Sequence, residues 1–180
     1  MIQHDINHLE QTAWDEPNMS LNVRRATDLD EDWVRSILTE SWSTTTIVTL
    51  GRAHDALCIP GLVAMQDGQP IGLLKYRMDD SMEIVSLNSL HEGTGVGSAL
   101  VEAAVRIARE NGCSRVWLVT TNDNQRAIRF YESRGFSVVK IHKDSIVEAR
   151  KLKPEIPLLG INDVPICDEI EMALILLEKP

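Results

Sequence analysis

Apolar positions recur along this chain with two periods, every second residue and every third or fourth, and the order of the two predicts the architecture. The first strand-like run is "LNVRR", from Leu21 to Arg25. "TDLDEDWVRSILTESW" follows, with Asp28 or Asp30 as N-cap, acids in its first turn, and Trp33, Ile37 and Leu38 at helical spacing, so it reads as a helix. "TTTIVTLG" is β-branched and closes on glycine, which marks an extended segment. In "GLVAMQDGQPIGLLKYRM" two strand-like runs flank Asp67-Gly68, a pair suited to the positive φ angles of a two-residue hairpin turn. A polar turn at Asp79, Asp80 and Ser81 leads into "MEIVSLNSL", which completes an antiparallel meander.

The period then lengthens. "GSALVEAAVRIARENG" is a helix, with Glu102 and Arg106 at i,i+4 and Asn111-Gly112 at its end. "SRVWLVTT" is an apolar strand of the type buried on both faces. Asn122 or Asp123 can cap the next helix, "NQRAIRFYESRG", which sets Ala127, Ile128 and Tyr131 on one face and stops at Gly135. "FSVVKI" is a further strand. Residues 142–167 read as a long, mostly irregular loop, because three prolines and a glycine in "LKPEIPLLGINDVPI" exclude a regular helix there. In "DEIEMALILLE", Glu169, Glu171 and Ala173 alternate with Ile170, Met172 and Leu174, and a strand is preferred to a helix because "FSVVKI" needs a partner. The sum is an α/β chain of the α+β kind: a mixed central sheet with an antiparallel N-terminal meander, two parallel strands that each feed a helix, flanking helices and a C-terminal strand pair. An irregular arm spans residues 1–20, ended by Pro17 and Asn18, and one domain spans 21–180.

Composition narrows the partners. With 180 residues, 43% hydrophobic and 25% charged, the chain is one globular domain in length. A formal net charge of −9 has the wrong sign for gripping a phosphate backbone, so nucleic acid is not expected. The N-terminus has neither a basic nor an apolar leader region, and no run of 18 apolar residues occurs, so a cytoplasmic protein without membrane contact is expected. Cys58, Cys113 and Cys167 are odd in number and scattered, which predicts neither a disulfide framework nor a metal site.

Candidate chemistry concentrates in "HEGTGVGS", from His91 to Ser98. The order strand, glycine loop, helix aims free N–H groups and a helix N-terminus at an anion. No lysine follows Gly97, so this is not a Walker A loop. GxGxG is not the dinucleotide fingerprint GxGxxG, and it follows a meander instead of opening the fold. On the glycines alone, a turn with no ligand stays open. The second element, "NDNQRAIRFYESRGF", also follows a buried strand, so the C-terminal ends of two parallel strands would lie side by side, where ligands of α/β sheets bind.

Together, "HEGTGVGSAL" and "NDNQRAIRFYESRGF" resemble the acyl-CoA loop and the following Asn…Ala…Phe-Tyr…Gly-Phe segment of the GNAT superfamily of N-acetyltransferases, and "TTNDNQRAIRFY" with the tail "EARKLKPEIPLLGINDVPICDEIE" resembles a less characterised bacterial subgroup of it. The resemblance covers residues 21–180 and implies parallel strands splayed around acetyl-CoA, with acyl transfer to the amine of a small molecule or a protein. It places Gly93, Thr94, Gly95, Val96, Gly97 and Ser98 at the pyrophosphate, with Glu92 where Gln or Arg is usual. Leu87, Asn88 and Ser89 then run along the pantetheine arm, and Asn124 either contacts that arm or caps a helix. Tyr131 takes the place of the acid that protonates the departing thiolate. Glu83 takes that of the base, with an exposed strand-start acid as the alternative. No metal is implied. Acceptor recognition, or a homodimer contact, falls to "SWSTTTIVTLGRAHDALCIPG" and to residues 142–167, with His54, Asp55, Arg150 and Lys153 as pocket candidates. Two other readings compete: a non-catalytic acyl-CoA-binding or regulatory module, and a purely structural protein.

Overall fold

The structure is a computed structural model that describes residues 21–91 and 93–176; the 1–20 arm and Glu92 lie outside the described residues. Its elements are β1 (Asn22–Arg25), α1 (Glu31–Trp42), β2 (Thr46–Thr49), β3 (Arg52–Asp55), β4 (Gly61–Gln66), β5 (Gln69–Met78), β6 (Met82–Ser89), α2 (Val96–Glu110), β7 (Arg115–Thr121), α3 (Gln125–Glu132), β8 (Ser137–His142), α4 (Ser145–Leu152) and β9 (Glu169–Ile175). Seven strands form one mixed sheet in the order β1-β4-β5-β6-β7-β9-β8, and β2 pairs with β3 outside it.

The meander forms as its turn chemistry dictates: Asp67 and Gly68 take φ of 51° and 74° between β4 and β5. β6 then pairs with β7 in parallel, but only from Met82 opposite Val116 to Ile84 opposite Leu118. On its other edge Ile84 pairs with Tyr76 and Ser86 with Lys75, so Val85 is an extra residue without a partner on β5. Such a bulge bends its strand. Beyond it β6 and β7 diverge, leaving a wedge between their C-terminal ends. The last strand reading holds, since β9 lies antiparallel between β7 and β8.

Two apolar layers sandwich the sheet. On one face α2 and α3 pack onto a core that includes Ile84, Leu100, Val116 and Met172. On the other, α1 and the β2–β3 hairpin cover Val63, Leu73 and Val85 through Val34, Leu38 and Ile47. Each fully buried leucine contributes about 1.5–3 kcal/mol. An exposed pair such as Arg35–Glu31 contributes about 0–1 kcal/mol, so the two layers hold the fold and the surface charges do not.

The structure adds to two expectations. The extended segment before Gly51 is half of a hairpin: Leu50 and Gly51 take φ of 47° and 71°, which reverses the chain and pairs Thr46–Thr49 with Arg52–Asp55. The stretch 142–167 is not irregular throughout, because α4 occupies Ser145–Leu152 with Ile146 and Ala149 buried on one side, and the prolines begin only at Pro154.

Candidate active site

The wedge between β6 and β7 opens to both faces of the sheet. On the α2–α3 face lies a cleft of about 650 Å³ that runs from the start of α2 to Tyr131. Its floor at one end is the glycine loop. Gly93 and Gly95 have φ of 75° and 86°, and an added Cβ at either would meet nothing within 4 Å, so the glycines serve backbone conformation and leave open space above the loop. Gly97 is there for a different reason: a Cβ would come within 3.2 Å of the Phe130 ring. The hydroxyls of Ser89 and Thr94 both donate to the His91 carbonyl, at 3.0 and 2.7 Å, and pin the turn. The first N–H groups of α2 consequently face the cleft without intrahelical partners, which suits an anion.

A cation reinforces this end. Arg134, just beyond α3, lays its guanidinium 3.6 Å from the Phe130 ring centre and donates to Ser98 Oγ in the first turn of α2. Arg126 also lines the cleft. The residues present therefore fit a pyrophosphate: unpaired amides, a helix N-terminus and two guanidiniums around an open space.

At the other end Tyr131 is buried, packed edge-on against Phe130 and Phe136 at 5.0 and 5.3 Å. Burial pushes its phenol well above the ordinary value, with Arg134 pulling slightly the other way, so the hydroxyl stays protonated at neutral pH. Asn124 caps α3, its Oδ1 accepting the Ala127 N–H at 3.1 Å, and its side chain also lines the cleft. The two expectations for Asn124 are thus compatible.

On the hairpin face the wedge opens into a second cavity, of about 370 Å³. Val85, Val119 and Asn124 form its inner wall, so Asn124 stands between cleft and cavity. Glu169 lines it too. Its Oε1 accepts the Leu50 N–H at 2.9 Å, whereas the buried Oε2 has no hydrogen-bond partner among the described residues. Glu83 opens instead onto a neighbouring cavity of about 340 Å³, beside His54 and Glu171. Burial raises the Glu83 carboxyl above its ordinary value, while Arg77, 3.6 Å away, and Arg52 oppose this. Its Oε1 is buried and has no partner among the described residues.

The structure thus gathers Leu87, Ser89, Gly93, Gly95, Val96, Gly97, Ser98, Asn124 and Tyr131 around one cleft. Thr94 acts through its bond to His91, and the Asn88 side chain is buried away from the cleft lining. Of the pocket candidates, Asp55 caps its own turn, accepting the Leu57 N–H at 3.0 Å. Arg150 donates to the carbonyls of Ile156, Pro157 and Ile166, and Lys153 to those of Trp42 and Thr46. These two tie together the segments that wall the second cavity. Sequence reasoning missed Arg134 and Glu169. Arg134 sits inside the quoted "ESRGF" and Glu169 in the strand alternation, but nothing local marks where either side chain ends up.

The acetyltransferase (GNAT) family pattern matches residues 7–136, and the chain belongs to that family. It is 34% identical over 152 residues to the uncharacterized protein YxbD of Bacillus subtilis (strain 168), a match spanning 83% of this chain and 96% of that one. Its fold is similar to that of an IAA acetyltransferase from Bacillus cereus ATCC 14579, with a TM-score of 0.67 at 22% identity over 87% of this chain and all of the other. A GNAT family acetyltransferase from Elizabethkingia anophelis with acetyl-CoA bound superposes with a TM-score of 0.60 at 16% identity, covering 87% of this chain and 98% of that one. Among the described residues no helix is long and apolar enough to cross a membrane.

Proposed function

We propose that this chain is an acetyl-CoA-dependent N-acetyltransferase that passes an acetyl group to a primary amine by direct attack on the thioester. The observation that carries the reading is the wedge itself: an anion-binding cleft on one face of the sheet meets a separate cavity on the other at Val85, Val119 and Asn124. A donor in the cleft and an acceptor in the cavity would meet only there. The amides of the glycine loop, the α2 N-terminus and Arg134 hold the pyrophosphate. The unpaired edge of β6 beyond Ile84 takes the pantetheine arm, at Leu87 and Ser89.

In the reaction a C–N bond forms as the C–S bond breaks. Tyr131, kept protonated by burial, gives its proton to the departing thiolate. An alkylammonium is protonated at neutral pH, so its attack requires a proton acceptor. Glu83, which opens onto the neighbouring 340 Å³ cavity, fits that role at the far end of a proton relay, because burial strengthens it as a base and one of its oxygens is unbonded among the described residues. The test is incubation with labelled acetyl-CoA and an amine panel, read by mass spectrometry, alongside calorimetry of acetyl-CoA. Acetylated amine supports the reading. Tight acetyl-CoA binding without turnover on any amine would favour a non-catalytic binding module, and no binding at millimolar ligand would remove the site altogether.

A further inference from the structure

Glu169 is buried to 2% exposure at the start of β9, yet it lines the 370 Å³ cavity. One carboxylate oxygen takes the Leu50 N–H, and the other is sealed from solvent with no partner among the described residues. A buried carboxylate oxygen without a donor is costly to maintain, and an ammonium group brings both a charge and three donors. Most of the remaining wall is apolar, from Trp42, Ile47, Val48, Val119, Ile146 and Ile156, with Ser and Thr hydroxyls and Asn124 between them. Lys153 lies in the same wall, but its ammonium donates to the carbonyls of Trp42 and Thr46 at 3.0 and 2.9 Å and so belongs to the scaffold. The cavity's other carboxylate, Glu155, is exposed and lies within electrostatic reach of Lys153, so a second cationic group on the acceptor would be buried against apolar side chains and beside Lys153, with no unshared carboxylate to meet it among the described walls.

We infer that this cavity selects a primary amine carried on a single apolar or aromatic body, and that Glu169 is the residue that binds its ammonium group. Resting on the acetyltransferase reading, this names the acceptor class: a compact hydrophobic monoamine and not a polyamine or aminoglycoside. A volume of about 370 Å³ admits a group the size of 2-phenylethylamine.

The test uses the whole chain, with 2-phenylethylamine and spermidine as probes. The wild type is expected to acetylate 2-phenylethylamine with kcat/KM at least tenfold above that for spermidine. Glu169→Gln is expected to raise KM for 2-phenylethylamine at least tenfold while leaving the calorimetric Kd for acetyl-CoA unchanged, and Glu169→Asp is expected to recover part of the loss. The unchanged acetyl-CoA Kd shows that the variants are folded. Preference for spermidine, or an unaltered KM in Glu169→Gln, overturns the inference while leaving acetyl transfer intact. Absence of acetyl-CoA binding in the wild type overturns the acetyltransferase reading and, with it, this one.

Discussion

The two faces of the wedge are built differently. Apart from Ile161, the cleft draws on two short stretches, 87–98 and 124–134, each folded by its own local rules: glycine φ angles, a helix start and a capped helix. The second cavity is assembled from the end of α1, the β2–β3 hairpin, α4, the segment after Lys153 and the first residue of β9. Backbone geometry defines the first, whereas packing between distant segments defines the second. Chemistry common to many acceptors can therefore reside in one face while the choice of acceptor resides in the other.

Variants that break one face and spare the other test this division. Tyr131→Phe removes the proposed proton donor and should lower kcat by about 10²–10⁴-fold with little change in acetyl-CoA Kd, as steady-state kinetics and calorimetry would record. Gly95→Asp forces a side chain into φ 86° and adds a negative charge at the loop, which should weaken acetyl-CoA binding by roughly 10–100-fold. Arg150→Ala acts on the other face. It removes a charged donor from the Ile156, Pro157 and Ile166 carbonyls and should cost about 1.5–3 kcal/mol in denaturant unfolding, raising KM for the amine while acetyl-CoA affinity is retained.

The smallest effect is a pH slope. Burial raises the folded-state Glu83 carboxyl above its unfolded value, so the folded chain binds that proton more tightly and the unfolded chain releases it first. Its contribution is most favourable below the ordinary carboxyl range and declines as pH rises through the raised value. Melting curves of Glu83→Gln should lack this decline, so the variant gains on the wild type as pH rises above the ordinary carboxyl range. The same substitution should remove the acid limb of the wild-type rate profile, along which activity falls as Glu83 takes up its proton.

The sequence was legible where a structural need has a local signature. Asp67-Gly68 announced a hairpin, the alternation of Glu169 to Leu174 announced β9, and the strand, glycines and helix around Gly95 announced the positive-φ loop that opens α2. The β2–β3 hairpin was half legible: its β-branched first strand stood out, but the turn places a leucine at positive φ, which no propensity rule anticipates. Glu83 was visible as an acid at a strand start, yet the hairpin that buries it and separates it from Asn124 comes from elsewhere in the chain. Glu169 carried no local mark at all, because its oxygen is bound by the N–H of Leu50, a residue 119 positions away.

The unpartnered Val85 sets more than a bend. Side chains in a strand alternate faces, and this one supernumerary residue breaks the alternation within β6: Ile84 and Leu87, three positions apart, share one face, opposite Tyr76 and Leu74. Deleting Val85 would leave Ser86 to Ser89 opposite the same β5 residues and on the same faces, but it would remove the bulge, and β6 would be free to continue its ladder along β7 toward Thr121. Whether this sheet is a continuous wall or a passage between two compartments is thus decided by counting, one residue more or less, before any catalytic side chain enters.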